Sequence, residues 1–446
     1  MNINILPDDA LLEIFLFCRE VFMIALPHQW WKPLIDVCRR WRHVIFASPH
    51  HLNLKILCTA NTPTRTSLDI WPPFPIIISC SSRELDEEGQ DNIIAALEHH
   101  DRVIGINILN QECLVLEKLA AAMERPFPVL TFLFLSSSAE IAPVLHEEFL
   151  GGSAPCLLSF VLENIAFPGF SRLASFAPHL ASLDLDGIPI TGNISPEAMA
   201  TCLATLPSLR DLDIRFQSPL SRPDRINLSP PTRAVLPALT HFYFTGVSEY
   251  LEDLVARIDT PKCHWLQIDL FMDLTFHIPR LNEFIARAER IRPYISANVT
   301  FSATHIHISL GSVELQISCR EPDWQASSMA QLCIQISPLT SHMESLEIRE
   351  DTPGQARQGN GIDPTQWFEL FDLFPAVQDL YIHDELRPIV AQALQELTGE
   401  RATEVLPTLR RLFFRGPSPP GSTREDIETF IAARQHSDYR VDVHWD

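Results

Sequence analysis

Seventeen histidines and ten cysteines are the groups in this chain best suited to nucleophilic or metal chemistry. His305 and His307 stand two apart, which puts both rings on one face of a β-strand. A zinc site needs three or four ligands in tetrahedral array. No third ligand lies near these two in sequence, so a solvated strand face is expected. His50-His51 and His99-His100 are adjacent, which points each pair of rings in different directions. The cysteines at 18, 38, 58, 80, 113, 156, 202, 263, 319 and 333 are scattered singly, with no CxxC. That is the usage of reduced thiols, not of a disulfide framework or zinc knuckle. A cysteine that carries an acyl group as a thioester needs a nearby base to hold it as thiolate. Cys38 falls on the apolar face of a helix and is expected to be buried and inert. The other nine have no base in a recognisable arrangement. Gly151-Gly152-Ser153 lacks the strand–turn–helix context of a nucleophile elbow, and GxSxG, GxGxxG, Walker and HExxH patterns are absent. No catalytic, cofactor-binding or metal-binding residue is assigned, and the chain is read as a non-enzyme without a cofactor.

Composition narrows the classes further. Lys plus Arg is 34 and Asp plus Glu is 56, a net charge of −22 over 446 residues. Nonspecific nucleic-acid binding needs cations to displace phosphate counterions, and anionic lipid likewise attracts basic surfaces. The balance argues against both. Gly is scarce at 15 and Pro abundant at 35, which suits many punctuated elements joined by stiff turns. No stretch approaches the ~20 apolar residues that a bilayer demands. The opening Met1 to Asp9 lacks the cationic region of a secretory signal. A cytoplasmic or nuclear protein is expected.

Two amphipathic helices are legible in the first 60 residues. Leu11, Ile14, Phe15 and Cys18 recur at i, i+3, i+4, i+7, with Asp8 and Asp9 in the first turn where the helix dipole favours negative charge. Leu34, Val37, Cys38, Trp41 and Ile45 repeat that spacing behind Pro33, a residue tolerated at a helix start. Arg39, Arg40 and Arg42 lie on the opposite face. So short a segment buries little core alone, and it is expected to dock onto something. An acidic partner surface suits the arginines.

Beyond residue 100 a different pattern recurs: apolar, two residues, apolar, one residue, apolar. It appears at Val103-Ile106-Ile108, Leu130-Leu133-Leu135, Leu157-Phe160-Leu162, Leu180-Leu183-Leu185, Leu209-Leu212-Ile214, Leu239-Phe242-Phe244 and Cys263-Leu266-Ile268. It returns at Met343-Leu346-Ile348, Val377-Leu380-Ile382 and Leu409-Leu412-Phe414. The first seven start 27, 27, 23, 29, 30 and 24 residues apart. Period and pattern are those of leucine-rich repeats, one short strand plus a helix or turn per unit. Helical faces intervene at Val247 to Ile258, Leu281 to Ile291 and Leu386 to Leu397, and Ser195-Pro196 and Asp363-Pro364 mark helix starts. Alternating strands and helices give parallel strands. Most units lack the asparagine that usually follows the strand. Residues 297–317 alternate at period two around Gly311-Ser312, which predicts an antiparallel insertion with a two-residue turn. Segments 218–237 and 350–363 read as flexible loops.

Leu6-Pro7, Leu11-Leu12-Glu13-Ile14-Phe15 and Val37-Cys38-Arg39-Arg40-Trp41-Arg42, in that order, resemble the F-box, the helical module that binds the adaptor Skp1 in cullin-RING ubiquitin ligases. The wider chain is similar to the F-box proteins with irregular leucine-rich repeats of mushroom-forming (basidiomycete) fungi. Leu68-Asp69-Ile70-Trp71-Pro72, Phe149-Leu150-Gly151-Gly152 and Tyr250-Leu251-Glu252-Asp253-Leu254 carry that likeness. The resemblance implies an α/β fold: an all-α F-box over 1–60, a linker or N-terminal cap over 61–100, and an irregular repeat solenoid, or horseshoe, over 101–446. It implies a substrate-recognition adaptor of a Skp1–cullin–F-box ligase, with catalysis supplied in trans. Skp1 contacts would come from Leu6, Pro7, Leu11, Ile14, Trp31, Leu34, Val37, Cys38, Trp41 and Ile45. Here Cys18 to Trp31 replaces what is normally a short turn and small helix, so Trp30-Trp31 either fills an apolar site of Skp1 or packs back onto the repeats. A repeat scaffold that binds proteins without ligase activity is the alternative.

Substrate contacts are expected on the concave face, from residues that alternate with the buried ones. Phe132, Phe134, Ser159 and Val161 come first. Asp184, Asp186, Asp211, Asp213, Arg215, His241, Tyr243 and Thr245 follow, then Glu347, Arg349, Asp379, Tyr381, His383, Arg411, Phe413 and Arg415. The four aspartates suit a basic segment of a protein substrate, and Asp184, Asp186, Asp211, Asp213, Tyr243, Tyr381, Arg411 and Phe413 are the leading candidates. Arg349, Arg411 and Arg415 leave a phosphate-reading site open at the C-terminal end.

Overall fold

The ten apolar triplets set the architecture, because every one of their residues is buried. The computed structural model describes residues 6–22, 30–81, 85–218, 233–271, 278–288, 290–291, 295–302, 304–318, 334–351, 364–383, 386–397, 401–416, 421–435 and 439–445. It divides into two compact units, 1–194 with 201–209, and 195–200 with 210–446. Asp363 and most of the two expected loops lie outside the described residues.

The first unit opens with α1 (Asp8–Phe22), α2 (Lys32–Ile35) and α3 (Arg39–Ala47). The single helix expected through Leu34 and Ile45 is therefore two. After one turn at α2 the chain bends at Asp36 and Val37, and Cys38 takes an extended conformation (φ −162°, ψ 168°). Cys38 caps α3, its sulfur accepting the Trp41 N–H at 3.5 Å, and it is half-buried rather than sealed on an apolar face. The break lets both Leu34–Ile35 and Val44–Ile45 reach the core. Arg42 Nε donates to the Ile35 carbonyl at 3.2 Å, satisfying an acceptor near the end of α2.

Six parallel strands follow in order: β1 (Ile56–Cys58), β2 (Ile76–Cys80), β3 (Val103–Gln111), β4 (Phe132–Ser137), β5 (Ser159–Glu163) and β6 (Ser182–Ile188). The sheet thus begins before residue 60, and 61–100 carries β2 and the helix Glu87–Leu97 instead of acting as a linker. Gly151, with φ +59°, sits in a tight turn where a Cβ would come within 2.8 Å of Pro126. The Gly-Gly segment is a packing device that only glycine fits.

The second unit contains β7 (Asp211–Phe216), β8 (Ala234–Val235), β9 (His241–Gly246), β10 (Ile258–Asp259), β11 (Trp265–Leu270), β12 (Ser296–Phe301), β13 (His305–Leu310), β14 (Val313–Ser318), β15 (Ser345–Glu350), β16 (Asp379–His383), β17 (Arg411–Arg415) and β18 (Asp442–Trp445). β8 pairs with β10 in parallel as a separate two-stranded sheet. The others run β7-β9-β11-β14-β13-β12-β15-β16-β17-β18. All pairs in this order are parallel except β12–β13 and β13–β14. The expected antiparallel insertion is present, closed at Gly311-Ser312 with Gly311 at φ 73°.

Helices tie consecutive repeats together. Glu252, buried on helix Ser248–Arg257, accepts the N–H groups of Arg280 and Leu281 at 2.9 and 2.8 Å. Its carboxylate caps the next helix, Pro279–Arg287, where the dipole favours negative charge. Arg434, fully buried on helix Gly421–Gln435, donates to the Val405 and Leu406 carbonyls.

Candidate protein interface

A strand in these sheets turns one row of side chains inward and the alternate row outward. Every residue assigned to the outward row from the sequence is half-buried or exposed, so the register is as expected.

In the first unit the outward row is apolar at its centre. Ile77, Gly105, Phe132 and Ser159 stand side by side, as do Ser79, Asn107, Phe134 and Val161. Gly105 offers no side chain between Ile77 and Phe132, which leaves a hollow of about 260 Å³. Asp184 and Asp186 lie on β6 beside Val161 and Glu163.

Asp211 and Asp213 belong to the second unit. There they meet two carboxylates not singled out from the sequence, Asp269 and Glu314. One cross-strand row runs Asp213, Tyr243, Gln267, Glu314. Arg215 donates to Asp213 at 2.5 Å, and His241 Nδ1 lies 2.8 Å from Asp211. Burial and then the charges of Asp211, Asp213 and Glu314 push the Tyr243 hydroxyl above its ordinary pKa, with Arg215 opposing. Burial raises the Asp269 carboxyl, against Arg215 and His307. Asp269 was legible as the residue one past the Leu266-x-Ile268 pair, in register with Thr245. Glu314 lies within the insertion, where the repeat template does not reach.

The same row continues through Ser309, Asn298 and Glu347 to Tyr381, Phe413 and His444. The last three stack as a ladder. Tyr381 and Phe413 ring centroids are 4.4 Å apart at 6°, and Phe413 and His444 are 4.7 Å apart at 14°. Arg411 grips Asp379 with two bonds of 2.6 Å, which raises its guanidinium pKa. Arg415 lies over the Tyr381 ring at 5.2 Å and 3.6 Å from Glu347, which His383 also meets at 2.7 Å. Arg349 donates to Thr300 at 2.9 Å. His444 was missed because β18 has no leucine triplet, although Val441, Val443 and Trp445 alternate at period two.

The N-terminal module divides its candidate docking residues sharply. Leu11, Trp31 and Ile45 are 0% exposed and Leu34 is 7% exposed. Trp31 packs edge-on against Trp71, Phe74 and Phe46, and its Nε1 donates to the Lys55 carbonyl at 3.1 Å. Of the two roles open to it, packing back onto the chain is the one it takes, so Trp31 is a core residue and not a docking contact. Leu11, Leu34 and Ile45 are corrected in the same way. Leu6, Cys38 and Trp41 are half-buried, Trp41 lying edge-on to Phe15 at 4.9 Å. Pro7, Ile14 and Val37 are exposed. So is Phe17, absent from the expected set although it follows Ile14 by one helical turn. Arg40 clamps Asp8 at 2.6 Å and the Leu6 carbonyl at 2.5 Å, bracing α3 against the start of α1.

Burial pushes the Cys58 and Cys263 thiols up to about 11, a poor state for a nucleophile. Among the described residues no His, Cys, Asp and Glu cluster could hold a metal, and no helix is long and apolar enough to cross a membrane.

No protein-family model matches the chain, and no curated protein matches it. Among solved structures it is similar to the leucine-rich repeat-containing protein LegL7 of Legionella pneumophila, at 12% identity and a TM-score of 0.28. That likeness covers 84% of this chain and 97% of the other. At that TM-score it adds nothing to the assignment. The repeat character rests on the buried triplets and the parallel register of this chain itself.

Proposed function

We propose that the chain is a protein-binding repeat scaffold that serves as the substrate-recognition subunit of a Skp1–cullin–F-box ubiquitin ligase. One observation carries the docking half of this reading. The N-terminal helices pack one face inward through Leu11, Phe15, Leu34 and Ile45, yet leave Ile14, Phe17 and Val37 at 37%, 67% and 57% exposure. Exposed apolar side chains on a small helical module suit a helix-binding partner, and they stand within the Leu6-Pro7 to Arg42 order that resembles the F-box. The outward rows of both units, apolar in one and acidic then aromatic in the other, would capture the protein substrate. The chain then contributes proximity to the ligase and no catalysis of its own, in the cytoplasm or nucleus.

A second reading has its own support. Arg40 and Arg42 are already engaged within the chain, and Trp31 joins the module to Trp71 and Phe74. On that reading the helices cap the sheet, and the scaffold works without a ligase.

A pull-down of Skp1 separates the two. Wild type should retain Skp1, while Ile14→Asp/Phe17→Asp, a pair of surface changes that spares the core, should lose it with an unchanged melting temperature. Retention by neither protein would discard the ligase reading, and equal retention by both would discard Ile14 and Phe17 as the docking residues.

A further inference from the structure

The insertion carves a pocket of its own. Trp265 on β11 stands in register with Ser312, since Leu266 pairs with Val313. Ser296 on β12 stands in register with Gly311, since Asn298 pairs with Ser309. Between Trp265 and Ser296 the outward row is thus occupied by the hairpin turn itself, a glycine and a serine. Where neighbouring strands raise large side chains, this stretch raises almost none. A hollow of about 500 Å³ results.

Its walls are unusual for a chain of net charge −22. Ser296, Ser309, Ser312 and Asn298 line it, with Trp265 at one side and His264 and Arg290 also on its lining. None of its lining residues is a carboxylate. Arg290 is exposed and makes no ion pair among the described residues. Two polar atoms of the wall, Trp265 Nε1 and Ser312 Oγ, are buried without a hydrogen-bond partner. The nearest described acids stand one strand over from the lining: Glu314 is in register with Ser309 and lies 3.7 Å from His307, and Glu347 is in register with Asn298 and meets His383 at 2.7 Å.

Hydroxyls, an amide and a guanidinium around one hollow can donate to oxygen acceptors. An uncompensated arginine among them favours a charged acceptor. The volume exceeds what one oxyanion fills, so there is room for the organic group that bears it. We propose that this pocket binds a phosphate monoester, with Arg290 as the charged anchor and the serine floor as neutral donors. The site does not depend on the N-terminal module, and stands or falls apart from the ligase reading.

Calorimetric titration of the full chain tests it. The probes are inorganic phosphate, adenosine monophosphate, and the peptide acetyl-Gly-Gly-pSer-Gly-Gly-amide beside its unphosphorylated form, all at one ionic strength. Saturable binding of a phosphorylated probe, absent for the unphosphorylated peptide, is expected. Preference for peptide or nucleotide identifies the source of the monoester. Arg290→Gln should weaken that binding by about tenfold or more, the worth of a charge-assisted bond. Ser309→Leu, which fills the hollow without changing charge, should weaken it as well. Ile14→Asp/Phe17→Asp should leave it unchanged. No saturable binding of any phosphorylated probe, or equal binding by Arg290→Gln and wild type, would overturn the proposal.

Discussion

Trp31 decides between two accounts of the N-terminal helices, and its truncation can be worked through. The side chain is fully buried, so Trp31→Ala removes a whole indole from a closed site. Large aromatic truncations of that kind cost about 3–5 kcal/mol. Three edge-on ring contacts, at 5.4, 5.8 and 6.3 Å, are lost with it. Such contacts are worth ~0.5–1.5 kcal/mol each beyond burial, which keeps the site above the low end of the range. The Lys55 carbonyl loses its donor, but Lys55 is half-exposed and water replaces much of that bond. About 4 kcal/mol is the expected loss for the first unit, a large share of the ~5–15 kcal/mol that holds a typical domain. Trp31→Phe keeps most of the packing and should lose about half as much. Urea unfolding followed by circular dichroism reads the midpoint. If Trp31 were instead a surface docking residue, its truncation would move stability by less than about 0.5 kcal/mol. A shift below ~1 kcal/mol would therefore refute the packing argument.

Two further predictions concern the second unit. Asp269 has its carboxyl pKa raised by burial, so just above the ordinary value near ~3.9 the folded chain binds more protons than the unfolded chain. Stability must then fall as pH rises through that window and stay lower above it. Asp269→Asn should flatten this decline and raise the unfolding midpoint at neutral pH; a parallel pH profile for the two proteins counts against the shift. Glu252→Ala removes the cap on helix Pro279–Arg287 and should cost about 1–2 kcal/mol, with Glu252→Gln retaining part of the cap. An Ala variant as stable as wild type would mean that water satisfies those N–H groups equally well.

The repeat strands were legible because their signal is the core itself. A residue such as Leu133 must be apolar wherever a strand passes, and the two-then-one spacing survives changes in loop length. The insertion was legible for a similar reason, since Ile306, Ile308 and Leu310 alternate as a half-buried strand must. The first two strands were missed because no leucine triplet accompanies them, although Phe74, Ile76, Ile78 and Cys80 alternate at period two. The helix break at Cys38 was hidden for the opposite reason. Leu34, Val37, Trp41 and Ile45 keep helical spacing across it, and only tertiary packing shows that Leu34 and Ile45 reach the core from two axes. The outward face was found by alternation alone, but its partners were not. Whether Asp211 meets His241, or Tyr381 stacks on Phe413, depends on lateral register between strands, which sequence spacing does not fix.

The antiparallel meander β12–β13–β14 has a kinetic consequence. A parallel neighbour such as β11 joins β9 only after 24 residues of chain have been closed into a loop, measured from Cys263 back to Leu239. β13 and β14 need close only the two residues of their turn. Hairpins of that kind form in about 1–10 μs, and short sequence separations speed folding generally. The meander then presents two open edges at once, β14 to receive β11 and β12 to receive β15. Order in this unit accordingly spreads outward from its middle in both directions, and pulse-labelled amide exchange should find Val299 and Ile308 protected before Phe242 and Leu412. An array of parallel strands, in which every pairing waits on a long loop, would have no such place to begin.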